Sequence, residues 1–221
     1  MRIRWIIVRR IGVAVVVLLA TLWAAGPSPV RASVPAFGLL HSFSGGSGGQ
    51  NPNSTLIQGS DGFFYGTTSG DLAGTDHGSI FKVDSLGNFA VVHRFSGSDG
   101  DQPVGLVQAA DGTFYGVTNR GGTGGCYLGC GTFFHMDAAG RVSVLHNFQG
   151  PEGEFPNPAI AQGSDGSFYG TTNMGGDQGQ GGTAFRIDTA GRFTLLHSFV
   201  TADGYFRTAA SSAPPTATST G

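Results

Sequence analysis

The chain has 221 residues, a formal net charge of −2 and only 12% charged residues, roughly half the usual share for a soluble domain. That balance leaves no basic patch or stripe with which to grip phosphates, so nucleic acid is excluded as a partner. The 39 glycines and 10 prolines verge on low complexity, yet 17 phenylalanines supply enough apolar surface for a core, and the mixture suits short strands with tight turns.

In chain order, residues 1–32 read first as a targeting segment. Arg2, Arg4, Arg9 and Arg10 form a positive start, and an apolar run from Ile11 to Ala25 follows. The run is short of the ~20 residues needed to cross a bilayer. Val30 and Ala32 fit the small-residue pattern read by a signal peptidase, so cleavage after Ala32 is expected. An uncleaved membrane anchor is the alternative, and any membrane contact is expected through this segment alone. The pair Arg9-Arg10 lacks twin-arginine surroundings, and no Cys stands near the cleavage site to take a lipid. The expected address is exported: secreted, cell-surface or periplasmic.

From residue 33 to 204 the chain repeats itself. The nonapeptide Ser60-Asp61-Gly62-Phe63-Phe64-Tyr65-Gly66-Thr67-Thr68 returns at Ala110 to Thr118 and at Ser164 to Thr172. Leu40-His41-Ser42-Phe43 returns at Val92 to Phe95, Leu145 to Phe148 and Leu196 to Phe199. Phe81-Lys82-Val83-Asp84 returns at Phe134 to Asp137 and Phe185 to Asp188, with Gly87, Gly140 and Gly191 three residues further on. The steps are 50 to 54 residues, giving repeats of about 52 residues over approximately 44–95, 96–148 and 149–199.

Before the first repeat, Phe37 to Phe43 reads as a stray strand of the kind that ends each repeat. Each repeat then reads as four strands. In the first copy these are Leu56 to Gln58, a turn at Asp61-Gly62, Phe63 to Thr68, a variable Gly-rich loop, Ser79 to Asp84, a turn through Gly87, and Phe89 to Phe95 with period-two alternation. Four antiparallel strands in about 50 residues match one propeller blade. The fold class is therefore all-β: three four-stranded antiparallel blade-like repeats forming an incomplete β-propeller or open blade array.

The motif set, namely Leu-His-x-Phe, an Asn-Pro step, Leu-Ile-Gln-x-Ser-Asp-Gly-x-Phe-Tyr-Gly-Thr-Thr and Phe-Lys-x-Asp, resembles the GloVer tandem repeat of secreted or surface-anchored bacterial proteins. The resemblance covers roughly residues 37 to 204. In the second copy Gln102-Pro103 replaces Asn-Pro, and the stretch after it is one residue shorter. The resemblance implies a β-propeller-like fold and an extracellular address, and it brings no catalytic residues to carry over.

Cys126 and Cys130 are the only cysteines and lie in a Gly-rich loop. In an oxidising compartment a local disulfide is expected. Free thiols and a metal site with His135 are the alternatives, although two thiols fall short of the usual four ligands. The recurring His41, His93, His146 and His197 read as hydrogen-bonded packing residues, or as a metal-binding ring if they faced a common axis. Asp61, Asp111 and Asp165 precede Gly at a turn and read as turn-capping residues, with acid/base work as the alternative. Asp84, Asp137 and Asp188 likewise end a strand before a turn. Tyr65, Tyr115 and Tyr169 read as blade packing, although aromatic rows also bind sugars. No nucleophile–base motif occurs, and the Gly-rich loops lack a Lys and a following helix for a phosphate. No catalytic, cofactor or metal site is assigned.

Residues 205–221 are rich in Ala, Ser, Thr and Pro, which reads as a disordered linker or as a frameshifted tail. From the Phe206–Arg207 junction, the codon offset permits Pro-Tyr-Gly-Gly-Leu-Ile-x-Ala-Ser-Asp-Gly-Asn-Phe-Tyr-Gly, the opening of a fourth repeat. The expected function is an extracellular or cell-surface binding scaffold whose loops Ser69 to Gly78, Asn119 to Gly131 and Asn173 to Gly182 meet a glycan or protein partner. A fragment of a quinoprotein-like or glycan-active propeller enzyme is the alternative, so enzyme activity stays open. Open sheet edges favour self-association.

Overall fold

The structure, a computed structural model, describes residues 38–46, 49–71, 74–177 and 181–203. The expected signal segment and tail lie outside them. Among the described residues, thirteen strands form three antiparallel sheets. The first holds β1 (Ile57–Gln58), β2 (Phe64–Thr68), β3 (Ser79–Val83) and β4 (Phe89–Arg94), paired in that order. The second holds β5 (Asp101–Gln108), β6 (Phe114–Arg120), β7 (Thr132–Met136) and β8 (Val142–Asn147). The third holds β10 (Ala161–Gln162), β11 (Phe168–Met174), β12 (Thr183–Ile187) and β13 (Phe193–Ser198), with β9 (Glu154–Pro156) also on β11.

Local chemistry explains the meander. The stretch Phe-Tyr-Gly-Thr-Thr is aromatic and β-branched, which suits a pleated, half-buried surface. The Asp-Gly turn is a three-residue connection. Gly62 N–H donates to Gly59 O at 2.9 Å, Gly59 N–H donates to Phe63 O at 2.8 Å, and only Gly62 takes a positive φ, 84°. This is a type I turn closed by a left-handed glycine.

The length difference noted in the second copy has a structural result. In the first sheet, Pro52 to Ile57 is two residues longer than the facing Tyr65 to Thr68, so the inner strand breaks between Pro52 and Ile57. The third sheet breaks in the same way between Pro156 and Ala161, where Asn157-Pro158 removes another ladder N–H. In the second sheet Pro103 to Val107 is only one residue longer than Tyr115 to Thr118, and a single bulge keeps β5 continuous. Register also shows that Phe155-Pro156, not Asn157-Pro158, is the counterpart of Asn51-Pro52 and Gln102-Pro103.

The sheets pack face on face. One core lies between the first and second sheets, built from Tyr65, Ile80, Phe95, Phe114, Phe134 and Met136. The other lies between the second and third and includes Tyr115, Val117, Phe133, Phe148, Phe168, Phe185 and Ile187. The contacts recur: Tyr65 on Phe114 at 4.4 Å and Tyr115 on Phe168 at 4.2 Å, then Phe95 on Phe134 at 5.3 Å and Phe148 on Phe185 at 5.1 Å. The tyrosines at the two internal junctions are thus blade packing. Each sheet also buries a hydroxyl pair that ties strand two to strand three: Thr68 with Ser79, Thr118 with Thr132, and Thr172 with Thr183.

The expected strand Phe37 to Phe43 differs in the structure. Residues 38–43 form no strand; they lay rings on the first sheet instead. His41 stacks on Phe89 at 3.7 Å, and Phe43 meets Phe81 at 5.0 Å. Phe43 stands to Phe81 as Phe95 does to Phe134, so the segment makes the ring contacts of an outer strand without a ladder to hold it.

Candidate functional site

The recurring histidines do not gather at a common point. Each Nε2 meets an acid six residues on: His93 with Asp99 at 2.9 Å, His146 with Glu152 at 3.0 Å and His197 with Asp203 at 3.0 Å. Each ring also stands edge-on to the Phe two residues later. The acid in turn accepts the N–H of Ser96, Gln149 or Val200, closing the connection to the next repeat. His41 is the exception. Ser47 stands six residues on, and the buried Nε2 of His41 has no partner among the described residues. Among those residues no group of three or more His, Cys, Asp and Glu is placed to hold a metal.

The turn carboxylates are engaged locally. Asp61 accepts Phe63 N–H and the Tyr65 hydroxyl, and burial together with that carboxylate pushes the Tyr65 pKa up to about 12. Asp111 takes the N–H and hydroxyl of Thr113. Asp165 binds Ser167 N–H, the Tyr169 hydroxyl and Arg186. Asp84, Asp137 and Asp188 each accept two backbone N–H groups of their own turn.

What breaks repeat symmetry lies at the end of the sheets where the strand-two-to-strand-three loops and the inter-repeat connections meet. Those loops begin later than the sequence suggests in two repeats. Asn119-Arg120 and Asn173-Met174 belong to β6 and β11, because Asp101 pairs with Arg120 and Glu154 with Met174. The loops are anchored by backbone bonds to their neighbours: Gln102 N–H to His77 O, Gly122 N–H to Gly97 O, Phe155 N–H to Cys130 O and Gly176 N–H to Gly150 O. At the first loop, Gln50, Asp71, Thr75, Asp76, His77 and Arg94 line a cleft of about 340 Å³. His77 Nδ1 lies 3.3 Å from Asp101 Oδ1 without a hydrogen-bond geometry, and the buried Asp76 Oδ2 and Arg120 Nε have no partner among the described residues. Sequence reasoning missed this group, because its members lie in one variable loop and at two strand ends with no repeated spacing.

At the second loop Cys126 and Cys130 stand as a disulfide, with Cα atoms 5.2 Å apart. Cys130 is fully buried in the second core. Between them, Tyr127 is 91% exposed and Leu128 sits at φ 71°. A short cross-linked ring thus holds a large aromatic side chain in water.

The electrostatics of the first junction yield a pH prediction. Burial raises the pKa of Asp99, but N–H and hydroxyl bonds from Ser96 and the bond from His93 outweigh it, and the carboxyl lies below its usual 3.8. Burial holds Asp101 above that value, against the opposing pull of His77 and Arg120. Ionised Asp99 therefore stabilises the fold above pH 3.8, and that contribution is lost as pH falls through its depressed folded value. Asp101 acts oppositely: its contribution is present below 3.8 and is lost as pH rises through its raised value. Urea unfolding across pH 3–7 is expected to show Asp99→Asn with a flattened acid limb, and Asp101→Asn with higher stability at pH 7. An unchanged pH profile in Asp99→Asn would refute the assignment.

No curated protein sequence matches the chain. Solved structures similar to it include a putative gluconolactonase (TM-score 0.44, 14% identity, covering 64% of this chain and 47% of that one). A gluconolactonase from Xanthomonas campestris gives TM-score 0.46 and 14% identity, over 65% of this chain and 48% of its own. A luciferin-regenerating enzyme gives 0.43 and 16%, over 65% and 44%. The chain thus spans less than half the length of each, and the fold rests on its own three sheets. The family model of the Gloeobacter/Verrucomicrobia repeat matches residues 30–217. With the motifs now placed as turn caps, inter-sheet aromatics and loop-closing histidines, the chain belongs to the Gloeobacter/Verrucomicrobia repeat family.

Proposed function

We propose that the chain is an exported β-repeat scaffold that binds an extracellular glycan or protein through its loop end and carries out no chemistry on it. The observation that carries this reading is Tyr127, held almost wholly in water on the Cys126–Cys130 ring. Exposed, rigidly mounted aromatics lose little entropy on contact and anchor interfaces. The turn carboxylates and three of the four recurring histidines are occupied in closing turns and connections, which supports binding over acid/base work. The targeting segment supports export, and N-terminal sequencing of exported protein is expected to begin at Ser33.

The function is tested with the full chain on a panel of extracellular glycans, followed by a turnover assay on every hit. Tyr127→Ala is expected to weaken binding at least about tenfold, as for a central interface anchor, with unchanged thermal stability because the side chain touches little. Turnover of a bound glycan would overturn the scaffold reading in favour of a propeller enzyme. Unchanged binding by Tyr127→Ala would move the site off this loop.

A further inference from the structure

The third sheet carries, on its far side, the same face that the first and second sheets bury. Tyr169 is 36% exposed, where Tyr65 and Tyr115 are 7% and 5%. Leu196 is 51% exposed, where its counterparts Val92 and Leu145 pack against the two cores. Phe199 is half-buried, where Phe95 and Phe148 are buried. What covers this face is shown twice within the molecule: the near side of another repeat.

We infer that the far face of the third sheet docks onto the first sheet of a second copy of this chain, head to tail. The near side of the first sheet repeats the complementary groups. Phe64 is only half-buried, whereas its counterparts Phe114 and Phe168, which receive Tyr65 and Tyr115, are buried. The backbone match is equally complete. Gln102 and Phe155 donate N–H to His77 O and Cys130 O across the two internal junctions. Asn51 of one copy and Gly181 of the other occupy those register places. Pro103 and Pro156 sit against Gly78 and Gly131, and Pro52 has Gly182 as its counterpart partner. Across the first junction Gln108 Oε1 accepts Ser60 N–H at 2.9 Å, and Gln108 Nε2 donates to Ser60 Oγ at 3.2 Å. Gln58 and Ser164 are the same residue types at the same places.

One competitor must leave. His41 and Phe43 occupy the rings of Phe89 and Phe81, the places that His197 and Phe199 of the incoming sheet would take. This segment is the weaker holder, since it has no ladder and its imidazole lacks the acid that fixes the other three histidines. A head-to-tail contact gives a ring if its rotation closes. Propellers close with about four to eight blades, so two copies of three blades fit the range and three copies exceed it.

Oxidative cross-linking of the full chain tests this. Gln58→Cys/Ser164→Cys is expected to give covalent dimers on a non-reducing gel, at least about tenfold more than either single variant. Adding Leu196→Arg is expected to reduce cross-linking at least about tenfold, the loss of one interface anchor. Thr194→Lys, at an exposed position of β13 whose counterparts Ala90 and Ser143 stay exposed at the two covered junctions, checks that the loss comes from the face and not from misfolding. Phe43→Ala is expected to increase the dimer fraction in sedimentation, because it weakens the competitor. A chain that sediments as a monomer without cross-links overturns the inference. So does an assembly that forms without the designed cross-link, or cross-linking that Leu196→Arg leaves unchanged.

Discussion

Phe148→Ala is expected to cost about 3–5 kcal/mol, a large share of a total stability on the order of 5–15 kcal/mol. Phe148 is 0% exposed and stands 5.1 Å from Phe185 and 6.0 Å from Phe193, both of the third sheet. Truncating it opens a void in the middle of the junction between two sheets, where neighbours from different repeats cannot both collapse inward. The same substitution elsewhere in the motif provides the control. Phe199→Ala removes a half-buried ring with no sheet beyond it among the described residues, so in dilute chain it is expected to cost under about 1.5 kcal/mol by the smaller area returned to water. Urea unfolding followed by circular dichroism reads both. Equal losses at Phe148 and Phe199 would mean that the stacking of sheets through this motif is misassigned.

Much of this architecture was legible because repeats make their own alignment. Strands 64–68, 79–83 and 89–94 follow from aromatic and β-branched runs bounded by Asp-Gly and Gly87 turns, with end shifts of a residue or so. The inner strand was less legible. Its continuity depends on whether one or two extra residues oppose the same stretch of strand two, a count set by pairing partners distant in sequence. Residues 37–43 carry a full outer-strand motif yet form no strand among those described, because the place that motif takes, beside the third strand of a sheet, is already filled by β4, β8 and β13. His93, His146 and His197 are hydrogen-bonded packing residues as their motif suggests, whereas His41 has no such bond among the described residues; the acid partners did not stand out, since Asp99, Glu152 and Asp203 differ in identity and recur only through the six-residue offset from His. The His77, Asp101 and Arg120 group was invisible for the opposite reason, since it occurs once. Register also bears on the tail. Asp203 pairs with His197 as Asp99 does with His93, so position 207 corresponds to Pro103 and Pro156. The offset reading of the codons permits Pro at that position, and sequencing the coding DNA tests it.

Gly131→Ala is expected to be strongly damaging for a single-methyl change, costing about 3 kcal/mol or more. Gly131 sits at φ +99°, and a Cβ there would lie 2.4 Å from Thr118 O and 2.7 Å from Pro156 Cδ. The first atom is backbone of its own sheet and the second is the ring of the next repeat, so no flexible side chain can yield. An L-residue with this φ already costs roughly 1–3 kcal/mol in backbone strain. The methyl must then push Pro156 away, and that proline sits on the strand that pairs with β11. Gly125→Ala in the same loop is the control: nothing lies within 4 Å of its Cβ and its φ is ordinary, so its melting temperature is expected to stay unchanged. Gly131 also accepts Phe148 N–H and donates to Gly121 O. It therefore couples the spacing of the second and third sheets to the base of the loop that displays Tyr127. If Gly131→Ala remains folded at low temperature, ligand binding through Tyr127 is expected to fall with it, whereas Gly125→Ala keeps both. A Gly131→Ala chain with unaltered unfolding would show that the two sheets do not meet at this glycine.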